Sequence, residues 1–559
     1  MRLPLAPLSA FSFTLLTAAC AAPVAVPPQT PTAATTPNAS RVTLPKAGPE
    51  AFTIEGQLRE EWLPLLKAPP LDPQKIQLST APSRLPPAPA TCDAFVSRRA
   101  PAPASCGDSA SALAALDAAL APDDVAKRDA LLTGLEECKG LPAGFARALR
   151  AELAPLECGE AVAGPLLAAP RAGTSANIHQ ALLGLSVASR LARTANTPPK
   201  LSPPFSRARV DEFIKGPMWA WFTAQAEVIQ QVSQEAAALP GYAKGIAAIE
   251  AGVAEMRIVE AVRNAPLPDE MAKDRELQTQ YYGTLDQALE PRKDRGRDAA
   301  LVGLRELALT GVIRDARIDR ARALLSRLYG GRRVDALDAL LLPPLPKAEP
   351  SSVEERLARK LPTFYAGLLL DDQAATRPGT LRMLLERGIP LPQRSALRGA
   401  PLAKEARALL ARGRIMLGQL YFRTVDFDQA TALLSAWPEG EARPSEATFE
   451  LALAIALRGG PEDAADMMRK APLALSGMGK VAALDYVTQS SPPSAEAGMA
   501  AFDAALIRQL TAPEGAGADF FRELAARYER AASLLTAPEV RALASERAKA
   551  AEQTAAALR

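Results

Sequence analysis

From about residue 109 onward, apolar residues recur every three or four positions, and Pro, Gly or Asp breaks the pattern at short intervals. This is the period of amphipathic helices joined by turns. Asp108 and Ser109 stand where a side chain caps "ASALAALDAAL". Pro122 and two Asp residues open "PDDVAKRDALLTGLEEC", a favourable first turn. "LPAGFARALRAELAPLEC" and "SANIHQALLGLSVASRLART" complete a set of four helices, which fits a bundle or stacked hairpins. Further on, "VDEFIKGPMWAWFTAQAEVIQQVSQEAAAL" reads as helical. Trp219 and Trp221 are two apart and cannot share a helix face. One is expected in the core, the other toward a neighbour or the surface. "RDAALVGLRELALTGVIRDARIDRARALLSRLYG" reads as a helical hairpin. Its second helix keeps Ile313, Ala316, Ala321, Leu324 and Leu328 on one side. Arg314, Arg317, Arg320 and Arg327 lie on the other, interleaved with Asp315 and Asp319. That face is expected to be solvated.

Proline-rich breaks divide the chain at 63–90, at "TPPKLSPP" (197–204) and at "LPPLPKAEP" (342–350). They predict an N-terminal helical region over 49–196, a central one over 205–342 and a C-terminal one over 351–559. The C-terminal region holds an internal echo. Leu417, Gly418, Tyr421, "VDFDQA" ending at Ala430, and Leu434 are answered by Leu451, Ala452, Ile455, "GGPEDA" ending at Ala464, and Met468. Gly418 to Ala452 and Ala430 to Ala464 are both 34 residues. This resembles the tetratricopeptide repeat, whose 34-residue units are helix–turn–helix hairpins. Arg414 and Thr448 stand where that family carries a bulky aromatic. The resemblance implies an all-α solenoid of stacked hairpins, with flanking helices near 352–369, 379–388, 500–511 and 517–533 continuing or capping the stack. It also implies a concave surface for peptides or other proteins, lined by Arg412, Ile415, Gln419 and Phe422 and then by Glu446, Phe449, Leu453 and Ala456. The second set is too apolar for an open groove and is expected to be covered by the chain itself.

Composition agrees with helix. The 559 residues are 48% hydrophobic, but only 5% aromatic, and strand-rich folds use more β-branched and aromatic residues. The net charge of +3, from 65 Lys and Arg against 62 Asp and Glu, does not point to nucleic acid.

The N-terminus changes the picture. Met1 and Arg2 precede an apolar run to Ala19, the layout of a secretory signal. Its end, Leu15-Leu16-Thr17-Ala18-Ala19-Cys20, resembles the bacterial lipoprotein signal, with Thr17 where that family prefers Leu, Val or Ile. The resemblance implies cleavage before Cys20 and lipid attachment to it, hence an outer-membrane lipoprotein. Residues 1–19 are then the signal peptide and 20–48, rich in Pro, Thr and Ala, a disordered tether. Ordinary cleavage after a small-x-small site is the alternative, giving a soluble exported protein.

Four further cysteines, Cys92, Cys106, Cys138 and Cys158, form no C-x-x-C pair, and His179 is the sole histidine. Zinc is not expected, and in an exported chain an even count predicts two disulfides. Three connectivities exist. Sequence proximity favours Cys92–Cys106 and Cys138–Cys158.

No catalytic motif emerges. His179 has no identifiable partner residue. "SGMGKV" (476–481) lacks the first glycine and the hydroxyl residue of a phosphate loop, having Ala474 and Val481 instead. No enzymatic activity and no metal or other cofactor is expected. The expected function is a protein–protein interaction scaffold of the cell envelope, held at the membrane through the lipid on Cys20 and docking other envelope proteins or peptides. The alternative is a murein-modifying or other envelope enzyme.

Overall fold

The computed structural model describes residues 77–343 apart from 104, 309–311, 313, 314 and 329–337. It then describes 356, 360, 361 and 364, and residues 404–558 apart from 422, 423, 436, 438–440, 459–480, 491–493, 511 and 514. The signal peptide, Cys20, the tether, Ala464 and the helices expected near 379–388 lie outside the described residues. Among these residues every regular element is helical. In chain order they are α1 (Asp93–Ser97), α2 (Ser109–Leu120), α3 (Val125–Gly134), α4 (Phe145–Leu153), α5 (Gly159–Ala168) and α6 (Ala176–Arg193). α7 (Arg207–Phe213), a π-helical turn (Ile214–Met218), α8 (Trp219–Ala237), α9 (Gly241–Arg263), α10 (Arg275–Ala308) and α11 (Ala316–Leu328) follow. The C-terminal set is α12 (Lys404–Tyr421), α13 (Thr424–Ser435), α14 (Ser445–Arg458), α15 (Ala482–Ser490), α16 (Ala495–Leu510), α17 (Ala518–Leu534) and α18 (Pro538–Ala557).

Local chemistry starts these helices. Asp108 accepts from the Ser111 N–H at 2.9 Å and Asp124 from the Lys127 N–H at 2.6 Å, each satisfying a donor that the first turn leaves free. Bonds from the Ser111 backbone and hydroxyl hold the Asp108 carboxyl below its ordinary range.

Small side chains set the packing. α9 and α10 form the most extensive helix pair, and glycines seven apart line their contact: Gly245 and Gly252 on α9, Gly303 and Gly296 on α10. A Cβ on Gly252 would stand 2.8 Å from the Gly296 carbonyl oxygen, and one on Gly303 would stand 3.0 Å from that of Gly245. The two helices run antiparallel at backbone contact. On its other side α9 meets α6, where a Cβ on Gly184 would lie 2.6 Å from the Ala243 Cα.

α6 is buried at nearly every position from Ala181 onward. Tyr242 of α9 and Phe145 of α4 both meet Phe364, at ring separations of 6.3 and 5.9 Å. Arg356 pairs with Asp117 and Lys360 donates to the Leu120 carbonyl at 2.5 Å. The start of the third region thus returns to the first, and one apolar cluster runs from Cys92 to Ala555.

From α12 to α18 each helix packs on the next, and α14 also touches α12 and α16. The last helix buries Ala544, Ala548, Ala551 and Ala555, a seam four and three residues apart that faces α17.

The disulfides correct the sequence-local pairing. They join Cys92 to Cys158 and Cys106 to Cys138, with Cα separations of 5.1 and 5.3 Å. The pairing is nested because the folded neighbours are distant in sequence. Cys92 and Cys158 each end a 3₁₀ turn leading into α1 and α5, and those helices pack together. The Cys106 carbonyl accepts from the Gly140 N–H at 3.3 Å, which lays the loop before α2 on the segment after Cys138.

The loops span 66 and 32 residues, so chain entropy makes each bridge worth about 4 kcal/mol. Non-reducing peptide mapping is expected to recover Cys92–Cys158 and Cys106–Cys138. The double variant Cys106→Ala/Cys138→Ala is expected to lose about 2–5 kcal/mol in urea unfolding. Recovery of Cys92–Cys106 would contradict the fold of this region.

Candidate functional site

A partner-binding groove is expected in the C-terminal region, where α12 and α13 pack together. Leu417 and Ala430 are fully buried, and a Cβ on Gly418 would lie 2.5 Å from the Phe427 ring, so the glycine admits that ring between α12 and α13. Leu451, Ala452 and Ile455 of α14 are buried too. The side chains of Tyr421 and Phe422 lie outside the described residues.

The residues expected to line a groove are mostly interior. Ile415 and Phe449 are fully buried, and Leu453 and Ala456 are buried with them. The cover expected for the second set therefore extends to Ile415. Arg412 is turned inward. Its Nη2 bonds Glu446 at 2.8 Å and its Nε bonds the buried Glu450. Gln419 is half-buried, and Glu446 is the exposed member of the set. Packing of α12 on α14 explains the correction: the face expected to be concave and open is met by α14.

Arg414, at the position where the repeat family has an aromatic, is 1% exposed and bonds Asp426 of α13 at 3.1 Å. These two are twelve residues apart, as Gly418 and Ala430 are. That shared offset marks a facing pair across the hairpin, and it was the available signal for this ion pair.

The arginines of α11 are also engaged: Arg320 and Arg327 stay exposed, as expected of a solvated face, while Arg317 is half-buried and Arg322 buried. Arg317 pairs with Glu152 of α4, Arg320 with Glu250 of α9 at 2.7 Å, and Arg327 with Glu260 of α9. Arg322 pairs with Asp338. Arg314 lies outside the described residues. The stripe faces acidic residues of neighbouring helices.

Deeper clusters follow the same rule. Arg150 bonds Asp129 at 2.8 Å, Glu136 and the Phe95 carbonyl. Arg190 bonds Glu160 at 2.7 Å, Glu235 at 2.9 Å and the Ser79 carbonyl at 2.9 Å, which fastens the segment before α1 to α6 and α8. Glu255 takes Arg292 at 2.8 Å and Arg295 at 3.1 Å.

The other singled-out residues sit as follows. Trp219 stacks on Phe222 at 5.5 Å, with Arg292 5.1 Å over the Phe222 ring. Trp221 packs against the cores around Val228 and Phe213. His179 is half-buried on α6. A small cleft of about 110 Å³ opens beside Cys138, between Leu135, Glu136, Gly144, Arg147 and Arg171. Its arginines are engaged, Arg147 with Glu136 and Arg171 with Glu137 at 2.5 Å. Among the described residues, no group of three or more His, Cys, Asp or Glu could hold a metal ion, and no helix is long and apolar enough to cross a membrane.

One carboxyl in this region titrates near neutrality. Burial pushes Glu450 up to about 7, against the opposing pull of Arg412. Because the folded state holds this proton more tightly, Glu450 costs stability progressively as pH rises from its ordinary value of 4.5 toward 7. Relative to Glu450→Gln, the wild type is expected to lose up to about 3 kcal/mol of unfolding free energy between pH 4.5 and 7.5. Urea titrations at several pH values measure this, and a constant difference would contradict it. No family model, no curated protein and no solved structure matches this chain, so the reading of its function rests on its own residues.

Proposed function

We propose that this chain is an exported envelope lipoprotein whose stacked helical hairpins, similar to tetratricopeptide repeats, act as a protein–protein interaction scaffold without catalysis. The observation that carries the reading is the nested pair of disulfides, Cys92–Cys158 and Cys106–Cys138. Structural disulfides persist in oxidising compartments and are rare in the cytosol. Export agrees with the apolar N-terminal run that ends at Cys20, and lipid on that cysteine supplies the membrane anchor. Acyl chains on one cysteine hold a protein at a bilayer by about 0.8 kcal/mol per buried methylene, without any spanning helix.

The scaffold half of the reading is supported by how the charges are used. The clustered arginines bind neighbouring helices, which stiffens the body and leaves its outer rim for docking. Glu446 and Gln419 sit at that rim on α14 and α12. A partner is expected to meet the edges of the hairpins, because Ile415 and Phe449 are covered.

Fractionation of the native host, with in-cell crosslinking and pull-down, tests both halves. Wild type is expected in the membrane fraction with a reproducible set of envelope proteins attached, and Cys20→Ala in the soluble exported fraction. Identical soluble behaviour of the two would sink the lipoprotein reading. Wild type without a stable crosslinked partner would sink the scaffold reading.

A further inference from the structure

Asp503 breaks the pattern of paired charges. It lies on α16, fully buried. Its Oδ1 accepts from the Leu341 N–H at 2.8 Å, and its Oδ2 has no hydrogen-bond partner among the described residues. No arginine or lysine among them pairs with it. Leu341 belongs to the segment 338–343, which leaves the central region and lies on the C-terminal stack, with Leu340 and Pro343 buried. Asp338, at the start of that segment, pairs with Arg322 of α11. The segment is therefore fastened at one end to the central helices and at the other to Asp503.

The surroundings offer no compensation. From α17, Tyr528 faces Asp503 and feels its charge, but its hydroxyl is given to Gln509 of α16. From α18, Arg547 lies over the rings of Phe502 and Tyr528, at 5.9 and 6.0 Å, and donates to Gln509 at 3.4 Å. On α14 Glu450 is taken by Arg412, and on α15 Asp485 is taken by Arg527 at 2.7 Å. α16 itself carries Glu496 and Arg508 near its two ends, and Arg508 lies 3.8 Å from Glu523 of α17. An ionised carboxylate without a cation in such a place is costly, whereas a neutral carboxyl keeps the bond to Leu341 at little cost.

We propose that residues 338–343 form an acid-strengthened clasp between the central helices and the C-terminal stack, with Asp503 as its proton-dependent catch. Burial pushes the Asp503 carboxyl well above its ordinary value, with the Leu341 N–H opposing. For a group raised in this way, the stabilisation is complete below the unfolded value of 3.8 and fades as pH rises toward the folded one. Acid closes the clasp. Alkaline conditions favour its release, because a solvated carboxylate escapes the cost of burial.

Hydrogen exchange on the full chain, read on peptides covering 338–343 and corrected for the intrinsic pH dependence of exchange, tests this. Wild-type protection is expected to fall by at least about tenfold between pH 5 and pH 8. Asp503→Asn keeps an acceptor for Leu341 without a titrating proton, and its protection is expected to be high and flat. Leu341→Pro removes the donor without changing any residue of α16. The rest of its segment is expected to exchange fast at both pH values, which keeps the test decisive even if the Asn variant folds poorly. A flat wild-type profile would overturn the proposal. So would a wild-type pH response surviving in either variant.

Discussion

The fold depends on α9 approaching two other helices at backbone distance. Gly252 faces the Gly296 carbonyl, Gly303 faces that of Gly245, and Gly184 of α6 meets the backbone of Ala243. Glycines at these crossings leave no room for even a methyl group at Gly252 without movement of backbone. α9 thereby joins α6, α8, α10 and α11. A chain with 5% aromatic residues builds its interior from such contacts: many small groups in close register gain dispersion that larger side chains supply elsewhere.

Close helices bring charges with them. Glu250 lies two residues before Gly252 and Glu255 three after it. Both are buried, and each is met by two arginines: Arg257 and Arg320 for the first, Arg292 and Arg295 for the second. Taking a carboxylate out of water costs several kcal/mol unless a cation accompanies it. The arginines of α10 and α11 are therefore partners required by the glycine contact. Their ion pairs offset the charge of those two buried carboxylates. Asp503, a buried carboxyl with no cation among the described residues, then stands out at the join between the central helices and the C-terminal stack.

Much of the fold is legible in the sequence alone. Asp108 as a cap, the helices from "ASALAALDAAL" onward, and the hairpin built on Gly418 and Ala430 follow from local period and spacing. What was missed depends on which distant segments meet. The glycines at 245, 252, 296 and 303 repeat every seven residues within each helix, but only the antiparallel pairing of α9 with α10 gives that spacing a purpose. The disulfides nest because α1 meets α5, a contact that no local pattern encodes. The groove residues went astray for a related reason. Family spacing places Ile415 and Phe449 on a helix face, and it does not say that the rest of the fold buries that face. Arg414 and Asp426 were readable in principle, since they share the twelve-residue offset of Gly418 and Ala430.

The same substitution at two glycines tests the contact on which the rest depends. Gly283, near the solvent-exposed start of α10, has nothing within 4 Å of the place a methyl group would take, whereas a methyl on Gly252 would stand 2.8 Å from a backbone oxygen. Gly→Ala in an open helix gains up to about 1 kcal/mol from propensity. Gly283→Ala is expected to raise the free energy of urea unfolding by that amount, and Gly252→Ala to lower it by about 1–3 kcal/mol through overpacking. Equal gains at both sites would mean that α9 and α10 do not touch along their glycines, and would contradict this packing.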